Sequence, residues 1–377
     1  MSKNIEFKAY CLDLDRARQT CERLGALLAR DHRQRDTYFA VPRNRLKLRE
    51  SDKYGSCLIH YRRADLSSIR ESTYTKIDLP PASASAVGDA LSEDVGTLVV
   101  VEKHRQSYTL DSALINLDTV QELGSFIEIE IDVEHIGDER AFEYARWLKD
   151  QLDISEIDIV PVSYSDLVKV YQRAKNWRGE LAIASNPGRL FLVDGPSASG
   201  KSTVAARLRQ ANALDLTFAR RHCTRKRRVN EEDEYIFVSN DEFARMAHAG
   251  DFLEYRNFEF GMSYGLSWDE AVRPMTQGKN ALAIMNWGNA RHVRRIFPEA
   301  KIILTIASQD TLRRRLIARG IHNPEQLTER LGNARRFSGH NEIYDLVVSN
   351  EDGQLDDVIS RVADYMSTTT RLAMRDA

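Results

Sequence analysis

The chain of 377 residues and 43.1 kDa has room for two domains of ordinary size, each able to bury its own core. Hydrophobic residues make up 42% and charged residues 29%, mean hydropathy is −0.46, and 54 Lys plus Arg nearly cancel 56 Asp plus Glu for a net charge of −2. That balance excludes a wholly disordered chain and a multi-span membrane protein, and it lacks the excess of base that long nucleic-acid duplex contacts need.

The opening MSKNIEFKAY mixes acid and base and passes directly into a strand-like pattern, so a signal peptide is not expected and a cytoplasmic location is. No run approaches the roughly 20 apolar residues a membrane helix needs. Up to about residue 160, apolar positions alternate with charge at period two. Ile5-Phe7-Ala9, Leu46-Leu48, Leu58-Tyr61, Thr97-Val101 and Phe126-Val133 read as half-buried strands. Helices are predicted over 13–30 and 138–152, with a short one after the turn-like PPASAS of 80–85. Such a pattern predicts an antiparallel sheet with helices attached. A helix over 163–175 follows, and Trp177 to Gly188 reads as a connector.

After Pro187 the apolar run Leu190-Phe191-Leu192-Val193 leads into a glycine-rich loop and a helix over 201–211. Strands over 281–286 and 301–307 and helices over 240–249, 308–319 and 324–337 complete an alternation that predicts a three-layer α/β domain with a parallel sheet. Asn240, Asp241 and Glu242 read as a helix cap with first-turn acids. The domains are therefore placed at 1–178 and 185–377. Cys11, Cys21, Cys57 and Cys223 form no CxxC pair and read as reduced, ordinary thiols.

Gly195-Pro196-Ser197-Ala198-Ser199-Gly200-Lys201-Ser202-Thr203 matches GxxxxGK[ST] between an apolar strand and a helix. Glycines in this frame let backbone N–H groups converge on a phosphate at a helix N-terminus. Lys201 can reach the β- and γ-phosphates, and the Ser202 hydroxyl can ligate Mg²⁺. Asp194, just before the loop, can bond loop amides or a cofactor water. Arg220, Arg221, Arg225, Arg227 and Arg228 follow, either as a solvated basic face or as guanidinium forks for a second phosphate-bearing substrate. Arg315 and Arg319 stand at i,i+4 on one helical face, with Arg330 later, where they can stabilise charge on a transferring phosphoryl group.

The stretches GPSASGKST (195–203), CTRKRR (223–228), EYIFVSNDEF (234–243), GDFLEYRNFEFGMSYG (250–265) and RRLIARGIHNPEQLTERL (314–331) resemble the guanylate kinase family, and more closely its ribose 1,5-bisphosphate phosphokinase branch. The resemblance implies an ATP- and Mg²⁺-dependent kinase, with Gly195, Ser197, Ser199, Gly200, Lys201, Ser202 and Thr203 around the nucleotide phosphates. Arg225, Arg228 and Tyr264 match acceptor-phosphate contacts, and Glu254 matches the guanine-reading glutamate. Arg315, Arg319 and Arg330 match the arginines around the transferring group. Arg221 stands where guanylate kinases carry a base-contacting serine, and Leu266 follows TyrGly in place of Ser or Thr. Ala283-Ile284-Met285-Asn286 replaces their acidic strand, which argues against GMP as acceptor. Asn286-Trp287-Gly288-Asn289-Ala290-Arg291 approximates the sugar-bisphosphate branch, making Asn286 a substrate-binding candidate.

In the first domain Glu6 and Lys8 share a strand face, as do Arg45, Lys47 and Arg49, Lys103 and Arg105, and Glu128, Glu130 and Asp132. An ordinary half-exposed sheet explains any one pair. The full set, with several strands contributing bases only, suits bases for a polyphosphate and carboxylates for divalent cations. NIEFKAY (4–10), DTYFAVPRNRLKLRE (36–50), LIHYRRAD (58–65), VVVEKHRQSYTL (99–110) and LINLDTVQELGSFIEIEI (114–131) resemble the CYTH superfamily of triphosphate-tunnel enzymes, closest to members similar to class IV adenylyl cyclase, with SYSDLV (163–168) as the C-terminal helix. That resemblance implies an antiparallel tunnel barrel in which Glu6, Glu128 and Glu130 bind Mg²⁺ or Mn²⁺. Lys8, Lys47, Arg49, Arg63, Lys76, Lys103 and Arg105 would contact phosphates, and Asp118 would hold a ligand or finish a turn. Asn4 stands where the family often has its first glutamate. His32, His60 and His104 read as incidental, and Tyr38, Phe39, Tyr54, Tyr61 and Tyr108 as packing on the barrel or at its mouth.

The whole-chain expectation is α+β tunnel barrel followed by α/β P-loop kinase. The leading function is transfer of the ATP γ-phosphoryl group to a small phosphorylated acceptor, either a ribose 1,5-bisphosphate-like sugar or a nucleoside monophosphate. One alternative makes the tunnel a triphosphatase or adenylyl cyclase with the kinase domain secondary. Another is a module binding a nucleotide or a nucleic-acid 5′-phosphate end, the less favoured partner. No membrane partner is expected, and a homodimer is compatible with the tunnel fold.

Overall fold

The structure, a computed structural model, describes residues 2–373 except 43, 64–67, 135, 156–157, 212–213, 228–233, 259–260, 286–288, 336 and 338–342. At Ser2, Arg63, Asn333, Arg335 and 371–373 it describes the backbone alone. Two compact units divide the chain: Met1–Tyr171 with Arg256–Gly261, and Gln172–Tyr255 with Met262–Ala377.

In the first unit, β1 (Ser2–Tyr10), β2 (Leu27–Phe39), β3 (Arg45–Ser51), β4 (Gly55–Arg63), β5 (Arg70–Leu79), β6 (Thr97–Leu110), β7 (Ala113–Val120) and β8 (Gly124–Asp132) close a barrel in the order β1-β5-β4-β3-β2-β6-β7-β8. Neighbours run antiparallel throughout. The period-two alternation decides what faces where. Ile5, Phe7 and Ala9 turn outward with Ile115, Leu117, Ile127, Ile129 and Ile131. They form one core with Ala17 and Cys21 of α1 (Leu14–Arg23) and Ala141, Ala145 and Leu148 of α3 (Asp138–Gln151). α2 (Pro81–Asp94) opens on a proline at its first turn, so 81–85, expected as a turn ahead of the helix, are instead part of it.

The helix expected over 13–30 stops at Arg23. Asp13 caps its start by accepting from the Arg16 N–H at 2.9 Å, and Gly25 at φ +80° turns the chain so that Leu27 enters β2. The connector expected from Trp177 is instead helical as far as Ile183, because α4 (Tyr164–Ile183) meets no breaker stronger than Gly179. A reciprocal capping pair starts it: Ser163 and Asp166 each accept the other's backbone N–H at 3.2 Å.

The second unit carries β9 (Leu190–Asp194), α5 (Lys201–Ala211), β10 (Leu216–Phe218), β11 (Arg221–Cys223), β12 (Tyr235–Phe237) and α6 (Asn240–Ala249). β13 (Phe252–Asn257), β14 (Ser263–Ser267), α7 (Trp268–Ala271), α8 (Arg273–Thr276), β15 (Asn280–Ile284) and α9 (Asn289–Ile296) follow. The last elements are β16 (Lys301–Ile306), α10 (Gln309–Ala318), α11 (Pro324–Arg335), β17 (Leu346–Ser349) and α12 (Leu355–Ala373). A parallel sheet runs β10-β15-β9-β16-β17, and a second sheet runs β12-β11-β14-β13. Phe191 and Val193 pack under Val204, Ala205 and Leu208 of α5 and Val358, Val362 and Met366 of α12. Ser239, not Asn240, caps α6 by accepting from the Glu242 N–H at 3.1 Å, which leaves Asp241 and Glu242 as its first-turn acids. No helix among the described residues is long and apolar enough to cross a membrane.

Candidate functional site

Fully buried β9 ends at Asp194, and the loop after it returns the chain to Lys201 at the start of α5. Two glycines are dictated by space. A Cβ on Gly195 (φ +147°) would lie 2.2 Å from the Thr305 carbonyl oxygen, and one on Gly200 (φ +95°) would lie 2.1 Å from Asn350 Nδ2. The same neighbours pin the loop: Asn350 Nδ2 donates to the Ser199 carbonyl at 2.8 Å, and the Ser199 and Thr305 hydroxyls are 2.8 Å apart. Lys201 is buried and folds over the loop, donating to the carbonyls of Gly195 at 2.7 Å and Pro196 at 2.9 Å. Ser202 and Thr203 are exposed in the first turn of α5.

Three arginines surround this loop. Arg315 of α10 donates to the Ala198 carbonyl at 3.4 Å and is braced by Asp352 at 2.8 Å. Arg330 of α11 donates to the Ser197 hydroxyl at 3.4 Å. Arg319 lines the same cavity as Arg315, Ala198, Gly200 and Thr203. On the other side, Arg221 of β11 donates to Glu254 Oε1 of β13, and Asn289 donates to Glu254 Oε2 at 3.0 Å, all three side chains being buried. Arg225 lies over the rings of Tyr235 (4.9 Å) and Phe237 (5.4 Å), and Tyr264 meets Tyr235 edge-on at 5.9 Å. Arg228 and Asn286 lie outside the described residues, as does the side chain of Arg63.

The barrel encloses a cavity of about 280 Å³. The cations Lys8, Lys47, Arg49, Lys76, Lys103 and Arg105 line it, as do the carboxylates Glu6, Glu128 and Glu130. Each strand contributes its inward face. Arg105 holds Asp118 through Nε (2.6 Å) and Nη2 (2.5 Å) and reaches Glu128 at 2.5 Å. Lys8 also binds Glu128 at 2.5 Å, and Lys103 binds Asp118 at 3.2 Å. Arg49 forks onto Asp36 with two bonds of 2.8 Å, and Lys47 joins at 2.7 Å. Tyr164, the first residue of α4, donates to Asp118 at 2.7 Å while its ring lies 3.8 Å from the Lys8 ammonium.

The Guanylate kinase family profile matches residues 187–369. Over 170 residues the chain is 36% identical to the guanylate kinase of Alkalilimnicola ehrlichii, spanning 44% of this chain and 82% of that enzyme. The chain belongs to the guanylate kinase family. The guanylate kinase of Hahella chejuensis is 35% identical over 169 residues, 44% of this chain and 80% of that one. The solved guanylate kinase of Anaplasma phagocytophilum is 24% identical with a TM-score of 0.40, covering 49% of this chain and 87% of that one. The CYTH domain profile matches residues 2–164, so a CYTH tunnel barrel precedes the guanylate-kinase-like unit.

Electrostatics differ between the two sites. In the guanylate-kinase-like unit, burial raises Asp194 to about 6 against the bond it accepts from the Gly195 N–H. Burial also lowers Lys201 to about 8, against the pull of Asp194. Asp194 Oδ2 is buried without a hydrogen-bond partner among the described residues, and with the exposed Ser202 hydroxyl it suits a hydrated divalent cation. In the CYTH barrel, burial and then Arg105 lower Lys103 to about 7. Burial alone would raise Glu128, but Lys8 and Arg105 hold it well below the carboxylate range. Glu130 is raised, by burial first and then by Glu128 and Glu6. Those like charges would be relieved by a hard cation on Glu6, Glu128 and Glu130, so the donor chemistry fits Mg²⁺ or Mn²⁺. Among the described residues no three His, Cys, Asp or Glu side chains stand grouped to hold a metal, and Lys8 and Arg105 both bond Glu128.

Several partners escape sequence reading. Arg45 leaves the series of Lys47 and Arg49 to pair with Asp166 at 2.9 Å. Asp36 anchors Lys47 and Arg49, and its only sequence signal is its period-two spacing from Tyr38. Asp118 sits inside β7 and binds two cations and a phenol, so it finishes no turn. Among the aromatics, Tyr38, Tyr54 and Tyr61 line the cavity, while Tyr108 packs in the outer core. His104 pairs outside with Asp31 at 2.7 Å, but His32 lines the cavity.

Proposed function

We propose that the C-terminal unit transfers the γ-phosphoryl group of ATP to a small phosphorylated acceptor, and that the barrel binds or cleaves a triphosphate. The observation that carries the kinase reading is the convergence of Arg315, Arg319 and Arg330 on a phosphate loop whose lysine is already folded across it. An oxygen of the acceptor's phosphate attacks the γ-phosphorus in line, the bond to the β,γ-bridging oxygen breaks, and ADP leaves. Lys201 moves from the loop carbonyls to the β- and γ-phosphates, and the three arginines meet charge on the transferring group. Ser202 would hold Mg²⁺, which would supply positive charge to offset that of the phosphates.

The acceptor favoured is a sugar bisphosphate of the ribose 1,5-bisphosphate kind rather than GMP. Glu254 has both oxygens engaged, by Arg221 and Asn289, which leaves it poorly disposed to accept from a guanine edge. In the barrel, the basic residues would cradle a triphosphate and Glu6, Glu128 and Glu130 would hold its cation.

The test is a transfer screen with Mg²⁺ and γ-labelled ATP. It offers GMP, other nucleoside monophosphates, ribose 1,5-bisphosphate and 5′-phosphorylated oligonucleotides to the wild type, Lys201→Ala and Glu128→Ala/Glu130→Ala. Label on ribose 1,5-bisphosphate that disappears only with Lys201→Ala supports the reading. Absence of transfer, with triphosphate cleavage or cyclic AMP formation that depends on Glu128 and Glu130, overturns the kinase-first order.

A further inference from the structure

The buried polar centre beside the second sheet keeps bonding capacity in reserve. Arg221 on β11 and Asn289 at the start of α9 both donate to the Glu254 carboxylate on β13, one to each oxygen. Arg221 is 4% exposed, Asn289 2% and Glu254 7%. A carboxylate paired with a guanidinium only accepts, so the Asn289 amide must face it with nitrogen and turn its carbonyl oxygen away. That oxygen, Oδ1, is buried with no hydrogen-bond partner among the described residues, and the same holds for Arg221 Nε.

One unmet donor and one unmet acceptor therefore flank a single satisfied carboxylate. Buried polar atoms are rarely left so, because each has given up water without a replacement. Their place in the fold indicates what meets them. Arg221 stands opposite Tyr235 in the parallel pairing of β11 and β12, and the Arg225 guanidinium lies 4.9 Å from the Tyr235 ring centre. Burial raises the Tyr235 phenol, and Arg221 and Arg225 both oppose that rise. Arg221 thus links the unmet pair to the residues expected at the acceptor's phosphate. A hydroxyl accepts one bond and donates another, so hydroxyls carried on a phosphorylated ring complete both atoms. Guanine presents two adjacent donors, N1–H and the 2-amino group, which call for a carboxylate whose oxygens Arg221 and Asn289 already hold.

We propose that Arg221 and Asn289 bind the hydroxyls of the acceptor's sugar, and that Arg221 is the residue that turns a guanine base away. Arg221 Nε donates to one hydroxyl oxygen and Asn289 Oδ1 accepts from a hydroxyl. Glu254 is a positioning residue that holds both side chains without itself touching the acceptor. The inference rests on the kinase reading of the C-terminal unit and adds its specificity determinant: the acceptor is chosen by free hydroxyls on its phosphorylated ring.

The experiment measures kcat and KM of the full chain for transfer from γ-labelled ATP with Mg²⁺. The acceptors are ribose 1,5-bisphosphate, its 2-deoxy and 3-deoxy analogues, and GMP. In the wild type, loss of a bound hydroxyl is expected to lower kcat/KM by about tenfold or more. Arg221→Lys keeps a cation against Glu254 but puts a methylene in place of Nε, and Asn289→Ala removes Oδ1. Each is expected to shrink a deoxy penalty to within about twofold, as a merely structural change would not. Arg221→Ser frees a Glu254 oxygen and is expected to raise kcat/KM for GMP by about tenfold or more. The deoxy sugars test the proposal on the unaltered protein, so it stands or falls even where Arg221→Ser does not fold. Equal use of ribose 1,5-bisphosphate and both deoxy sugars overturns the proposal and leaves the kinase reading standing. A folded Arg221→Ser with no gain on GMP removes Arg221 as the determinant. Transfer by the wild type to none of the acceptors overturns the kinase reading itself.

Discussion

Arg221 and Glu254 lie on different strands of the second sheet and meet in a charge-assisted hydrogen bond with both side chains buried. Asn289 supplies the other bond to the carboxylate, at 3.0 Å. Removing one member leaves an uncompensated buried charge, so Arg221→Met is expected to destabilise the protein by about 3–5 kcal/mol. Chemical denaturation checks this, and Arg221→Met/Glu254→Met is expected to cost less than the sum of the two single changes.

Gly200→Ala should abolish phosphate-loop function without unfolding the barrel. The added methyl meets Asn350 Nδ2 at 2.1 Å and strains a residue at φ +95°. ATP binding measured calorimetrically with the barrel saturated by tripolyphosphate is expected to fall at least about tenfold, while binding of tripolyphosphate itself is unchanged.

Arg315→Ala and Arg330→Ala remove donors that already reach the loop at Ala198 and Ser197. Each is expected to lower kcat for phosphoryl transfer by about 10²–10³-fold, with a smaller change in KM. A larger effect on KM than on kcat would assign them to ground-state binding.

Lys103 is lowered from 10.5 to about 7 by burial and by Arg105. The unfolded chain therefore holds more protons between about 7 and 10.5, so this residue makes stability rise with pH across that window. Lys103→Met is expected to remove that slope in denaturation curves. A bound polyphosphate favours the charged ammonium, so binding near pH 8 should take up a proton. Calorimetry in buffers of different ionisation enthalpy should show the uptake in the wild type and none in Lys103→Met.

Glu130 is raised by burial and by its carboxylate neighbours Glu128 and Glu6, whereas Glu128 is held down by Lys8 and Arg105. Glu130→Gln relieves repulsion but deletes a hard oxygen ligand. It is expected to stabilise the metal-free protein slightly and to raise the Mn²⁺ concentration needed for triphosphate binding by about tenfold. Unchanged Mn²⁺ dependence would remove Glu130 from the cation site.

The sequence by itself determined the phosphate loop, because Gly195, Gly200, Lys201 and Ser202 act through local backbone geometry at fixed spacing. It also determined the barrel's two faces, since strand period two sends Glu6 and Lys8 to one side and Ile5 and Phe7 to the other. Tertiary structure decided which charge meets which. Asp36 reaches Lys47 and Arg49, Asp118 gathers Arg105, Lys103 and Tyr164, and Arg45 departs to Asp166, through register and barrel closure that join distant segments. Sheet pairing engages Glu254 with Arg221. Periodicity is a local property of the backbone, whereas the partner of a buried charge is chosen by every strand that closes around it.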